Sequence, residues 1–158
     1  MVREEILNTM LNPYYPECRY LKEAKLDFPT LYSEFSIPKT FYGAQSGHFN
    51  ATEMMMCYNQ MAYTFIASSV EEGLIESAGT IPLDEFVKYQ MGSCLMARIG
   101  NIKFKSQINP KNFSGEITLR KWPTRGENLF ATTDFSFYDN NGGSARGDAL
   151  LVLCLKNT

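Results

Sequence analysis

Histidine is almost missing from this chain: His48 is the single one among 158 residues. The four cysteines, Cys18, Cys57, Cys94 and Cys154, stand far apart and form no paired motif. One imidazole and scattered thiols argue against a zinc site, so no metal is expected. No glycine-rich phosphate loop follows a strand, and no other cofactor is expected. A G-x-S-x-G elbow is lacking too, which removes the serine of an α/β-hydrolase. Charge is sparse: charged residues are 20% and the formal net charge is −2. Such a chain has no basic field to draw nucleic acid or an anionic membrane. Its longest apolar stretch is interrupted by Asn59, Gln60 and Thr64 and is flanked by acids, so it is no membrane span. No secretory pattern opens the chain, so reduced thiols and a cytoplasmic protein are expected. No repeat, low-complexity segment or linker appears, and residues 1–158 read as one domain.

What the chain does have is centred on Phe41 to Val70. Asn50 is a good helix cap, and Glu53 stands three residues on, where a capping-box acid reaches back. Met54, Met55, Met56, Cys57, Met61, Ala62, Phe65, Ile66 and Ala67 follow. A helix apolar on nearly every side is enclosed by its domain. Its N-terminus, beside the loop of Tyr42, Ser46 and His48, is expected to offer free N–H groups and positive potential to an oxyanion. Before it, Arg3 to Leu11 reads as a short amphipathic helix that Pro13 stops. Tyr20 to Phe28 and Thr30 to Ile37 read as strands. After it, Thr80 and Pro82 open a helix over LDEFVKYQ. The remainder reads as β: one long, bulged strand, Ser93 to Gln107, broken near Gly100 and Asn101, then Phe113 to Trp122, Asn128 to Tyr138 and Ser144 to Leu155. Asp139 to Gly143 is the clearest hairpin turn. The expected class is α+β, with an antiparallel sheet curled around one central helix in the hot-dog manner.

Several side chains carry chemistry in this pattern. His48 is either a structural hydrogen-bonder or a general base that needs no large pKa shift. Glu53 is either the capping acid alone or a carboxylate near the reacting centre. Asn59 and Gln60 are amides in an apolar helix and need partners: a neighbouring backbone for one reading, a substrate carbonyl or water for the other. Tyr14 and Tyr42 are amphipathic core-edge residues or neutral donors to an oxyanion. The methionines make an adaptable apolar lining that suits an acyl chain as well as ordinary packing.

The stretch Gly47-His48-Phe49-Asn50-Ala51-Thr52-Glu53, continuing through Cys57-Tyr58-Asn59-Gln60-Met61-Ala62-Tyr63, resembles the signature of the FcoT-type hot-dog thioesterases. Pro13-Tyr14, Cys18-Arg19-Tyr20-Leu21, Asn109-Pro110 and Asn141-Gly142-Gly143 extend the resemblance over nearly the whole chain. Lys121 to Asn128 departs from the pattern. The resemblance implies a hot-dog fold, a homodimer or higher homo-oligomer, and an acyl-thioester substrate on CoA or acyl carrier protein. It assigns the site to Tyr14, Tyr42, Asn50 and Asn59, with Gly47 at the substrate. Similar enzymes of isonitrile lipopeptide and β-amino acid pathways add glycine to C3 of a 2-enoyl thioester and release the N-(carboxymethyl)-3-amino acid. For that chemistry His48 or Glu53 would be the base, and Arg19 or Lys103 the cation for the glycine carboxylate. The other implied readings are a plain thioesterase, a hot-dog dehydratase or hydratase, and a module that only binds acyl thioesters. The dehydratase reading is weakened because Asn50 stands where a proline usually follows G-H-F.

Overall fold

The structure is a computed structural model and describes residues 1–43 and 49–155. Helix α1 (Glu4–Leu11) ends before Pro13. A hairpin of β1 (Leu21–Asp27) and β2 (Thr30–Phe35) follows. The central helix α2 runs from Ala51 to Glu71, and α3 spans Leu83–Gly92. The chain then continues as β3 (Cys94–Ser106), β4 (Phe113–Lys121), β5 (Thr124–Arg125), β6 (Asn128–Tyr138) and β7 (Ser144–Cys154). The strands pair antiparallel in the order β1-β2-β4-β6-β7-β3, with the two-residue β5 added to β6. β5 falls in the segment that departs from the family pattern, and its two residues are too few for a sequence periodicity to show.

Period-2 patterning makes the sheet one-sided. In β6 Leu129, Ala131, Thr133, Phe135 and Phe137 are buried, and in β4 Phe113, Gly115, Ile117 and Leu119. These faces wrap α2, which buries Met54, Cys57, Tyr58, Met61, Phe65, Ile66 and Val70. The enclosed helix anticipated above is present, with one departure. Met55, Met56, Asn59 and Tyr63 form a half-buried stripe along its first half, at the spacing that keeps residues on one helix face.

Two devices fix the start of α2. Phe49, directly before the cap, inserts its ring among Phe113 and Phe137, at centroid distances of 4.9 and 5.3 Å. Phe35 completes the cluster at 5.3 Å from Phe113 and 5.6 Å from Phe137. Gly115 makes room for it: a Cβ there would lie 2.8 Å from the Phe35 ring and 2.9 Å from that of Phe137. Farther along, the buried Gln60 ties the helix to the chain before β1. Its Oε1 accepts from the N–H groups of Tyr20 (2.9 Å) and Leu21 (3.0 Å), and its Nε2 donates to the Cys18 carbonyl (2.7 Å).

β3 is one continuous, bulged strand: it runs through three register irregularities against β7, one of them between Gly100 and Lys103, where the sequence predicts a break near Gly100 and Asn101. It is also an edge of the sheet, and most of its length is exposed. No helix among the described residues is long and apolar enough to cross a membrane.

Candidate active site

The capping box written into the sequence forms. Asn50 Oδ1 accepts from the N–H groups of Thr52 (2.9 Å) and Glu53 (3.3 Å), and Glu53 Oε2 accepts from the Asn50 N–H (3.2 Å). This narrows one expectation. The cap takes up the N–H groups of Asn50, Thr52 and Glu53, so of the first N–H groups of α2 that of Ala51 alone makes no hydrogen bond among the described residues. The end of the helix still contributes its positive potential, and further hydrogen-bond donors come from side chains.

The cap supplies one. With Oδ1 facing two N–H groups, the Asn50 amide must turn Nδ2 the other way, where it donates to the Tyr42 phenol oxygen at 2.5 Å. Tyr42 is 44% exposed. An oxygen that accepts from an amide keeps its own O–H proton for another acceptor, and the chain of donors polarises that proton. The backbone of α2, Asn50 and Tyr42 therefore form a relay ending in a neutral donor at the surface. Glu53 lies behind it, fully buried, with Oε1 accepting from Thr40 Oγ1 (2.9 Å). Both its oxygens are occupied by the fold. The cap is what the structure accounts for in this residue.

A second polar group lies farther along α2. At 1.5 Å per residue, Asn59 is about 13 Å along the axis from Asn50. It is half-buried, and its side-chain amide makes no hydrogen bond to any described residue. Tyr14 approaches the same stretch. Burial, with Tyr63 and Cys57 beside it, raises its pKa and keeps the phenol neutral. Burial first, then Cys94, pushes Tyr63 up to about 12. Phenols held neutral donate hydrogen bonds and do not act as bases at ordinary pH. The four residues assigned by resemblance thus stand as two phenol–amide sets, Tyr42 bonded to Asn50, and Tyr14 beside Tyr63 and Cys57 on the stretch of α2 that carries Asn59. The half-buried Met55 and Met56 lie between them on the helix.

Beside the first set is a cleft of about 550 Å³ lined by Phe49, Asn50, Ala51, Phe104, Lys105, Ser106 and Gln107. That is the size of an ordinary small-molecule site. Its β3 wall was missed in the sequence, because nothing local reveals which strand packs beside a helix end.

Arg19 and Lys103 do not gather here. Arg19 turns back on its own loop, donating from Nε to the Tyr14 carbonyl (3.1 Å) and from Nη2 to that of Asn12 (3.4 Å). Lys103 is paired in register with Arg146. It lines a different groove, of about 500 Å³, with Glu116, Asp134 and Asp148. Gly47 and His48 lie outside the described residues. Among the described residues no three His, Cys, Asp or Glu side chains cluster as a metal site would require.

Comparison with known proteins gives these groups a context. The FcoT-like thioesterase domain family matches residues 9–153. A (2E)-enoyl-ACP glycyltransferase of Streptomyces coeruleorubidus is 36% identical, over 96% of this chain and 97% of its own. The enzyme of that name from Mycobacterium marinum is 31% identical, over 96% of this chain and 86% of its own. Among solved structures, a mutant thioesterase of Pseudomonas aeruginosa superposes with a TM-score of 0.62 at 8% identity, covering 96% of this chain and 94% of that one. Zebrafish thioesterase superfamily member 2 gives 0.58 at 14%, covering 95% and 94%. Likeness at such identities speaks for the fold alone, which is the hot dog. The family match begins in α1 and ends in β7, taking in both phenol–amide sets. The chain belongs to the FcoT-like thioesterase family.

Proposed function

We propose that the protein adds glycine to C3 of a 2-enoyl thioester on an acyl carrier protein, then hydrolyses the thioester to release the N-(carboxymethyl)-3-amino acid. The observation that carries this reading is the Asn50–Tyr42 relay, whose Asn50 lines a cleft, in a chain whose relatives are named for that glycyl transfer.

The chemistry follows from one polarised carbonyl. A hydrogen bond from the Tyr42 O–H to the thioester oxygen draws electrons from the C2=C3 bond and makes C3 electrophilic. The glycine amine attacks C3, and the π electrons move onto the carbonyl oxygen as an enolate. C2 then takes a proton, and the new ammonium gives one up. In the second step water adds to C1, the same donor holds the tetrahedral oxyanion, and the carrier thiol leaves. One such donor is typically worth about 3 kcal/mol in the transition state. Both steps need a base. Glu53 is engaged by the cap and by Thr40, so we assign the role to His48. Asn59 and Tyr14 would orient the substrate farther along α2, with the acyl chain on the methionine stripe.

A homodimer fits the same reading. β3 is an edge strand of 13 residues, and Met96 and Ile99 on its helix-facing side are only half-buried. Exposed edges of this length invite another chain. A second copy paired there would cover the methionine stripe and close the site. The four unpaired thiols suit a reducing compartment, and we place the protein in the cytoplasm.

The test is mass spectrometry of the products from 2-enoyl-carrier and 2-enoyl-CoA thioesters with and without glycine. A glycine adduct released as the free acid supports the reading. Free acid formed regardless of glycine makes the protein a plain thioesterase, for which the same donors suffice. Water added at C3 makes it a hydratase, and absence of any product makes it a binding module.

A further inference from the structure

Glycine differs from most amines by its carboxylate, and a site that selects it needs a cation close to the polarised carbonyl. Arg19 is spent on two backbone carbonyls, and Lys103 lines the groove with Arg146, not this cleft. The cleft beside Asn50 holds one charged residue among those described, Lys105. Its place there is a product of strand irregularity. Phe104 pairs with Ala145 and Ser106 with Ser144, so Lys105 is the extra residue of a bulge at the end of β3. In an unbroken ladder the residue after Phe104 would share the face of Lys103. A bulge re-aims a side chain locally, and bulges are frequent beside active sites. Here Lys105, Ser106 and Gln107 all line the cleft. Among the described residues no carboxylate lies within ion-pair distance of Lys105, so its charge is free for a ligand.

The hairpin between β6 and β7 stiffens this wall. Ser106 Oγ donates to the Gly142 carbonyl (2.5 Å), and Asp139 Oδ2 accepts from the Asn109 N–H (2.6 Å). The wall opposite α2 is thereby held from both sides of Gln107.

We propose that Lys105 binds the carboxylate of the amino donor and so selects glycine over uncharged amines. The inference rests on the glycine-addition reading above. Lys105 and Asn50, whose amide holds the Tyr42 phenol, line one cavity, so a glycine anchored at Lys105 would present its amine toward the relay and C3. The anchor holds the donor without touching the reacting atoms.

The experiment compares glycine with glycinamide, which keeps the amine and removes the negative charge. For wild type, Lys105→Met and Lys105→Arg, kcat/KM for adduct formation is measured with each amine on the same 2-enoyl thioester. The ratio cancels any loss of active protein. Wild type should prefer glycine by about tenfold or more, as a charge-assisted hydrogen bond allows. Lys105→Met should bring the ratio close to one, and Lys105→Arg should restore most of it. An unchanged ratio in Lys105→Met, or no preference in wild type, overturns the assignment while leaving glycine addition standing. No adduct from wild type with either amine removes the glycine reading, and this inference with it.

Discussion

Asn50 does two jobs with the two ends of one amide, and substitution can separate them. Asn50→Ala removes both: the helix loses its cap, and Tyr42 loses the donor that orients it. Loss of a cap costs about 1 kcal/mol, which for a chain of this size lowers Tm by about 3 °C. Asn50→Asp keeps an oxygen for the Thr52 and Glu53 N–H groups, and its charge suits the helix N-terminus. Its stability should stay within about 0.5 kcal/mol of wild type. It has no N–H for Tyr42, however, and it sets a negative charge beside an oxygen that must gain electrons. Removing one oxyanion donor costs about 10²- to 10³-fold in kcat, and Asn50→Asp should lose at least that much. The assay pairs thermal melts with steady-state release of free thiol from a 2-enoyl thioester. If Asn50→Asp melts like wild type and keeps kcat within about threefold, the relay through Tyr42 is not part of the chemistry.

Other changes test other links. The Asn59 side chain makes no hydrogen bond within the described fold, so Asn59→Ala should shift the urea midpoint little while lowering kcat at least about tenfold. An unchanged kcat would remove Asn59 from the site. Gln60→Leu leaves the Tyr20 and Leu21 N–H groups and the Cys18 carbonyl buried without partners, a loss of about 3 kcal/mol or more by urea unfolding. Gly115→Ala drives a methyl into the Phe35 and Phe137 rings and should cost about 1–3 kcal/mol in the same measurement. The N–H groups of Asn109 and then Gly143 hold the Asp139 carboxyl below its ordinary range. That contribution to stability is present above the unfolded pKa of about 4 and is lost as pH falls through the lower folded value. The urea midpoint of wild type should therefore drop more steeply on acidification than that of Asp139→Asn. Parallel profiles would refute the role of that carboxylate.

Much of the fold could be read from short-range pattern. The Asn50–Glu53 spacing announced a capping box and the box formed, because a cap is decided within four residues. β6 spans Asn128 to Tyr138 as the alternation indicated, and α1 stops before Pro13. The hairpin at Asp139 closes on its own backbone, with the Asp139 N–H donating to the Gly143 carbonyl at 3.1 Å. Where the site was concerned, the resemblance pointed to Tyr14, Tyr42, Asn50 and Asn59, and the structure sets them along α2 in two groups. Glu53 kept two readings in the sequence. Only its buried contact with Thr40, thirteen residues away, accounts for the second oxygen.

By itself the sequence determined the elements, the faces they bury and the polar groups that need partners. Each of these is set by neighbours one to four residues away, through cap hydrogen bonds and the two side-chain periods. The tertiary structure decided which partner each group received. Asn59 and Gln60 are adjacent amides, yet one holds the chain around Cys18, some forty residues away, and the other has no partner in the described fold. Lys103 and Lys105 are two residues apart, yet a bulge against β7 puts one in the cleft and leaves the other in the groove with Arg146. Arg19 is a cation in any sequence, and only the folded loop shows its guanidinium already taken by carbonyls. Charge and polarity are properties of a residue, but availability is a property of packing, since a hydrogen bond made within the fold is no longer open to a substrate.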